Sequence, residues 1–142
     1  MRFRLYEVAI HFDLSKMFHS VQTGEAEQYM RLMVWRNGDQ EADWQSYGWK
    51  VVAFGDRPSS CILEISKDLT AKAGEHIDPV AARAISEDTY VDDGAKGGDK
   101  ETTKRLIGKV TVNQDGSLSY SGTLAQIIKK GGVKLKIVVR SG

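Results

Sequence analysis

At 142 residues, 41% hydrophobic and 27% charged, the chain has the composition of one globular domain closing a single apolar core. Two prolines, no low-complexity tract and no apolar run near the roughly 18 residues needed to cross a bilayer exclude disordered, collagenous and membrane-spanning classes. The one cysteine, Cys61, excludes an internal disulfide framework or a thiolate zinc cluster, and Met1-Arg2-Phe3-Arg4 lacks the apolar core of a signal peptide, so an intracellular setting without membrane partners is expected.

The net charge of +1 hides an uneven distribution: residues 1–95 sum to −6 and residues 96–142 to +7. A basic segment draws polyanions while a carboxylate cluster binds cations, a combination suited to phosphate chemistry, although an ordinary dipolar surface has the same arithmetic.

In chain order, Leu5 to Asp13 alternates, with Tyr6, Val8, Ile10 and Phe12 on one side, and predicts a half-buried strand ending in a carboxylate. A turn through Ser15 to Val21 follows. Tyr29–Arg36 and Trp44–Phe54, separated by Asn37-Gly38-Asp39, predict a hairpin whose Trp35, Trp44 and Trp49 belong to the core, with stacking on nucleic-acid bases as the alternative. From Pro58-Ser59-Ser60 to Lys72 the recurrence of Ile62, Ile65 and Leu69 at helical spacing predicts a helix stopped at Gly74, with Cys61 as a small buried apolar residue. Asp78-Pro79 opens a helix to Glu87, with Val80, Ala84 and Ile85 as its buried stripe. Thr89–Val91 predicts a short strand running into a tight turn at Asp92-Asp93-Gly94.

After a loose Gly97-Gly98-Asp99, Lys100–Ile107 reads as helix and Val110–Tyr120 as a hairpin turning at Asp115-Gly116. Leu124, Ile127 and Ile128 mark a helix closed by Lys129-Lys130-Gly131-Gly132. Val133, Leu135, Ile137 and Val139 alternate with Lys134, Lys136 and Arg140 in a last strand. The whole predicts an α+β fold, a mainly antiparallel sheet with helices on one face.

Antiparallel pairing of the first strand with the Asp-Asp hairpin would set Asp13, Asp92 and Asp93 at one sheet edge. Hard cations take such oxygen ligands, and two Mg²⁺ ions about 3.5–4 Å apart serve phosphoryl transfer. Taken singly, an acidic strand end and a surface Asp-Asp turn are common. His11, His19 and His76 lack metal-ligand spacing, and His11 reads as a neighbour of Asp13, not a ligand.

Four segments together carry a resemblance. Asp13-Leu14-Ser15-Lys16-Met17-Phe18 resembles the first motif of reverse transcriptases, and Phe54-Gly55-Asp56-Arg57-Pro58-Ser59-Ser60 the second, with Ser60 where the family usually has proline. Tyr90-Val91-Asp92-Asp93 is similar to their Tyr-x-Asp-Asp box, followed by Gly94 where an aliphatic residue is usual and where a looser hairpin is expected. Gly131-Gly132-Val133-Lys134-Leu135-Lys136 resembles the late Gly-Gly motif. Order and spacing agree from Leu5 to Arg140, most closely with retrotransposon polymerases of the BEL/Pao group.

The resemblance implies residues 1–142 as one polymerase palm-like, ferredoxin-like domain, partial in that fingers and thumb are largely missing. It implies an RNA-directed DNA polymerase acting on a primer-template of RNA or DNA and on deoxynucleoside triphosphates. Two Mg²⁺ ions, replaceable by Mn²⁺, would sit on Asp13, Asp92 and the Leu14 carbonyl, with Asp93 taking a weaker or indirect part. Phe18 would exclude ribonucleotides at the sugar 2′ position, or be a core phenylalanine; Phe54 and Gly55 would line the nucleotide pocket and Tyr90 the primer-template minor groove. Lys134 would lie near the triphosphate, or be a solvated strand lysine. The alternatives are a catalytically inactive, remnant or co-opted module binding nucleic acid through Lys129, Lys130, Lys134, Lys136 and Arg140, and a fragment that needs the rest of a retroelement polyprotein to fold.

Overall fold

A computed structural model describes residues 6–132 and, for 134–141, the backbone and the side chain of Ile137. Leu5 and Val133 of the expected strands therefore lie outside the described residues, as do the side chains of Lys134, Lys136 and Arg140.

Alternation in the first strand gives β1 (Val8–Ser15), which runs two residues beyond Asp13 and buries Val8, Ile10, Phe12 and Leu14 on one face. Two short helices, α1 (Met17–Ser20) and α2 (Glu25–Tyr29), occupy the region read as turn and the start of the expected hairpin. The hairpin is shorter than expected, β2 (Leu32–Trp35) and β3 (Gln45–Gly48), with a turn at Asn37-Gly38 where both residues take positive φ. Next come α3 (Ser59–Gly74), α4 (Pro79–Glu87), β4 (Thr89–Tyr90) and β5 (Asp93–Gly98). The chain continues through α5 (Lys100–Ile107), the hairpin β6 (Val110–Val112) and β7 (Leu118–Tyr120), α6 (Thr123–Lys130) and β8 (Lys134–Ser141).

The protein is an α+β molecule with antiparallel sheets. Its main sheet has the order β4-β5-β1-β8 with every neighbour antiparallel, so the two strands nearest the chain ends, β1 and β8, lie side by side. Leu63 of α3, Ala81 and Ile85 of α4, Leu106 of α5, and Leu124, Ile127 and Ile128 of α6 close over Ile10, Phe12, Leu14 and Ile137 in one core. The opposite face of β1 carries His11 and Asp13. The segment read as loose, Gly97-Gly98, is the end of β5, paired with Ala9 and Val8. The β6–β7 hairpin is mostly exposed, yet Tyr120 is buried, its hydroxyl accepting from Ile137 N–H (3.2 Å) and donating to the Ile137 carbonyl (3.1 Å), which ties the hairpin to β8. No helix among the described residues is long and apolar enough to cross a membrane.

Burial departs from expectation at Val80 of α4, which is 37% exposed beside buried Ala81, Ala84 and Ile85, at Cys61 and at the three tryptophans. In α3 the buried face is Ser59, Leu63, Lys67, Ala71 and Gly74, whereas Ile65 and Leu69 are 57% and 63% exposed. The apolar stripe lost to a rival one at the same helical spacing, because Lys67 finds partners beneath β4. Cys61, on the outer side of α3, is exposed. The three tryptophans are not core: Trp35 in β2 and Trp44 and Trp49 at the ends of β3 are 50%, 61% and 42% exposed, and the Arg36 guanidinium lies 4.7 Å over the Trp44 ring. Trp44→Ala is accordingly expected to cost less than about 1 kcal/mol, the scale of an exposed cation–π contact, measured as the shift of a urea unfolding midpoint.

Helices α4, α5 and α6 meet at Asp78. Its Oδ1 caps α4 by accepting from the N–H of Val80 (2.9 Å) and Ala81 (3.4 Å), and its Oδ2 accepts from Arg105 Nε (2.9 Å) and Thr123 Oγ1 (2.8 Å). Burial alone would raise this carboxyl, but the bonds from Thr123, Val80, Ala81 and Arg105 outweigh it and hold it below the ordinary carboxylate value. Asp78→Ala should cost about 2–3 kcal/mol, a lost cap plus charge-assisted bonds. A carboxyl depressed in the folded state stabilises above its unfolded value and loses that contribution as pH falls through the folded one. The stability gap between the parent and Asp78→Ala, read from urea melts, should therefore be full at neutral pH and narrow in acid.

Candidate functional site

Asp13 sits on the uncovered face of β1 and pairs in register with Asp93 on β5, while its partner on the other side, in β8, is Lys136. Tyr90 on β4 pairs in turn with Asp93. One cross-strand row thus carries Tyr90, Asp93, Asp13 and Lys136 in that order, and since residues paired directly across strands share a face, the two carboxylates face the same way. Asp13 accepts from Ser15 Oγ (2.9 Å), and Asp93 Oδ1 lies 3.6 Å from His11 Nε2, so His11 is a neighbour of the carboxylates.

Asp92 reaches the row from the turn. The two-residue loop between β4 and β5 is Val91-Asp92, two residues earlier than the Asp93-Gly94 signal suggested: Tyr90 pairs with Asp93, and Asp93 and Gly94 already belong to β5. Val91 supplies the positive φ, 54°, that a tight hairpin needs at its first loop position. The Asp92 carbonyl accepts from Leu14 N–H (2.8 Å), fastening the turn to the end of β1 beside Asp13. Leu14 enters the site through its backbone alone, its side chain being buried.

The expected looseness at Gly94 is reversed. Gly94 is buried, stands opposite Phe12 in the ladder, and a Cβ there would meet the Phe12 ring at 2.2 Å.

Two residues of α3 that the sequence reading missed hold the turn from below. Glu64 Oε1 accepts from Val91 N–H (2.8 Å), Glu64 Oε2 is paired with Lys67 Nζ, and Lys67 Nζ also donates to the Thr89 carbonyl (2.8 Å). The Lys67 side chain is 1% exposed. Partial burial would raise the Glu64 carboxyl, but the bonds from Lys67 and from Val91 N–H and the Lys67 charge hold it below its ordinary value. The detectable signal was Lys67 itself, a charge in the i, i+4 series Ser59, Leu63, Lys67, Ala71, since buried lysines require partners.

Phe18 and Phe54 come together as a tilted stack, ring centroids 4.2 Å apart, with His19 edge-on to Phe54 at 5.6 Å. Phe18 is partly buried against the core, whereas Phe54 is 64% exposed. Gly55 follows at φ 84° with open space around it. At the start of α3, Ser59 is buried and donates from Oγ to the Ala53 carbonyl (2.6 Å), which ties the start of the helix back to Ala53. Tyr90 is 83% exposed on the edge strand. Lys129 and Lys130 are exposed at the C-terminus of α6, just before β8 enters the sheet opposite Ser15, which puts them at the Asp13 end of the sheet. Lys134, Lys136 and Arg140 pair by backbone with Ser15, Asp13 and Ala9.

The donors assembled here are all oxygens, the chemistry of Mg²⁺ or Mn²⁺ and not of zinc. Among the described residues no three His, Cys, Asp or Glu side chains form a complete metal-holding group. A partial set fits Mg²⁺, which commonly uses one or two protein carboxylates and fills its octahedron with water and phosphate. The chain matches no protein-family model and no curated protein.

Proposed function

We propose that the chain is the palm of a retroelement reverse transcriptase, which extends a primer 3′-hydroxyl with deoxynucleoside triphosphates on an RNA or DNA template inside the cell. The observation that carries this reading is the register that sets Asp93 opposite Asp13, together with the Leu14 N–H to Asp92 carbonyl bond that brings the turn alongside. The strand order β4-β5-β1-β8, with crossover helices covering one face, supports a ferredoxin-like palm.

Asp13 and Asp92, with the Leu14 carbonyl, would hold two Mg²⁺ ions, and Asp93 would add negative charge next to them. Bound there, the ions would supply activation of the primer hydroxyl and neutralisation of charge on the leaving pyrophosphate. The chain's own residues position the partners. The Phe18–Phe54 stack forms an apolar wall fit to lie against a sugar and base, Gly55 leaves room beside it, and Tyr90 projects from the sheet edge toward a duplex. Primer extension with Mg²⁺ is the test: template-directed incorporation is expected, and none with either Mg²⁺ or Mn²⁺ would remove the catalytic reading.

Exposed Lys129 and Lys130 favour a second reading, a non-catalytic module that binds nucleic acid by phosphate contacts. It requires duplex affinity to fall steeply with salt and Lys129→Ala with Lys130→Ala to reduce the log–log salt slope by about 2.

A further inference from the structure

Strand β4 is only two residues long and lies at the sheet edge, so its pairing with β5 gives the following turn little to hold it. The turn nevertheless keeps Val91, a β-branched residue, at φ 54°, a conformation such residues adopt only where the surroundings enforce it. Contacts from two sides enforce it. Leu14 N–H takes the Asp92 carbonyl, and Glu64 on α3 takes the Val91 N–H, while Lys67 pairs with Glu64 and binds the Thr89 carbonyl at the preceding strand.

We infer that Glu64, oriented by the buried Lys67, is a positioning residue that fixes the Tyr90-Val91 peptide at the start of the turn and so, together with the Leu14 N–H on the Asp92 carbonyl, aims the Asp92 carboxylate toward Asp13. This rests on the polymerase reading for its reaction, but its structural content stands apart from it. A carboxylate needed at a metal must be held in direction as well as in place, and Asp92 sits on the most lightly paired segment of the sheet. Anchoring the Val91 N–H to α3 and the Asp92 carbonyl to β1 brackets Asp92 on both sides and confines the direction of its Cα–Cβ bond. A role confined to global stability would make any residue that fills the same space an adequate substitute; positioning requires an oxygen that accepts from Val91 N–H.

Removing Glu64 alone would leave Lys67 buried without its counter-ion and risk unfolding the chain, so the comparison is made in Lys67→Met. In that background Glu64→Gln keeps an acceptor for Val91 N–H and Glu64→Leu does not. Amide exchange of Val91, Mn²⁺ affinity by electron paramagnetic resonance and steady-state incorporation are measured on the full chain, with protection in α6 reporting that each variant is folded. Glu64→Gln should match Lys67→Met alone. Glu64→Leu should lose protection at Val91 and bind Mn²⁺ about 10–100-fold more weakly, with kcat lowered and the nucleotide KM unchanged. Retained protection at Val91 in Glu64→Leu, or lost protection with unchanged Mn²⁺ affinity, would overturn the inference. If Lys67→Met and the parent both bind no Mn²⁺, the polymerase reading is what fails, and the exchange of Val91 still decides whether Glu64 holds the turn.

Discussion

Asp92→Asn and Asp13→Asn are each expected to lower Mg²⁺-dependent primer extension by about three orders of magnitude, since a metal-borne charge in phosphoryl transfer is worth several kcal/mol and each 1.36 kcal/mol is tenfold in rate. The fold should survive both changes, and stability should separate them. Asp13 and Asp93 are directly opposed across β1 and β5, an arrangement in which like charges destabilise a ladder. Asn at either position should raise the metal-free unfolding free energy by about 0.2–1 kcal/mol, the scale of a cross-strand pair. Asp92, in the loop, has no such opposed partner in the ladder, and Asp92→Asn should leave metal-free stability nearly unchanged. Mg²⁺ should raise the melting temperature of the parent by mass action and do so much less in all three variants. Extension by Asp92→Asn at the parental rate, or a parent whose melting temperature ignores Mg²⁺, would remove this site from the chemistry.

Most of the fold was readable because its elements carry strong local signals. Alternation from Leu5 to Asp13 pointed to β1, observed at Val8–Ser15, the Asp78-Pro79 pair marked the start of α4, and Lys-Lys-Gly-Gly the end of α6. The errors fall where tertiary contacts decide between equal local patterns. Two stripes of α3 have helical period, the apolar Ile62-Ile65-Leu69 and the mixed Ser59-Leu63-Lys67-Ala71, and the bonds of Lys67 to the Thr89 carbonyl and Glu64 go with burial of the mixed one. The tryptophans read as core because hairpin aromatics usually are, yet both strands of this hairpin, β2 and β3, are exposed along their whole length. In the site, the neighbourhood of Asp13 and the Asp-Asp box followed from chain order and strand type. The turn register did not, because Asp93-Gly94 is as good a local turn as Val91-Asp92, and the pairing of Gly94 with Phe12 settles it.

That pairing supports the second large effect, the substitution Gly94→Ala. An added Cβ would lie 2.2 Å from Phe12 Cζ and 2.3 Å from Cε2, and the ring is 0% exposed, enclosed by the core that α3, α4 and α6 close over β1. Glycine here serves close approach: the ring occupies the space a side chain would need. Close-packed interiors yield little, so the variant should lose about 1–3 kcal/mol or more, measured by urea unfolding. Shrinking the ring should relieve the clash. Phe12→Leu combined with Gly94→Ala should cost less than the two single changes together, with a coupling of about 0.5–3 kcal/mol. Because Phe12 precedes Asp13 and Gly94 follows Asp93, a displaced ring moves both strands at the carboxylates, and Gly94→Ala should weaken Mg²⁺ binding as well as the fold. Strict additivity of the two substitutions would mean that the ring does not lie over Gly94, and the register that aligns Asp13 with Asp93 would go with it.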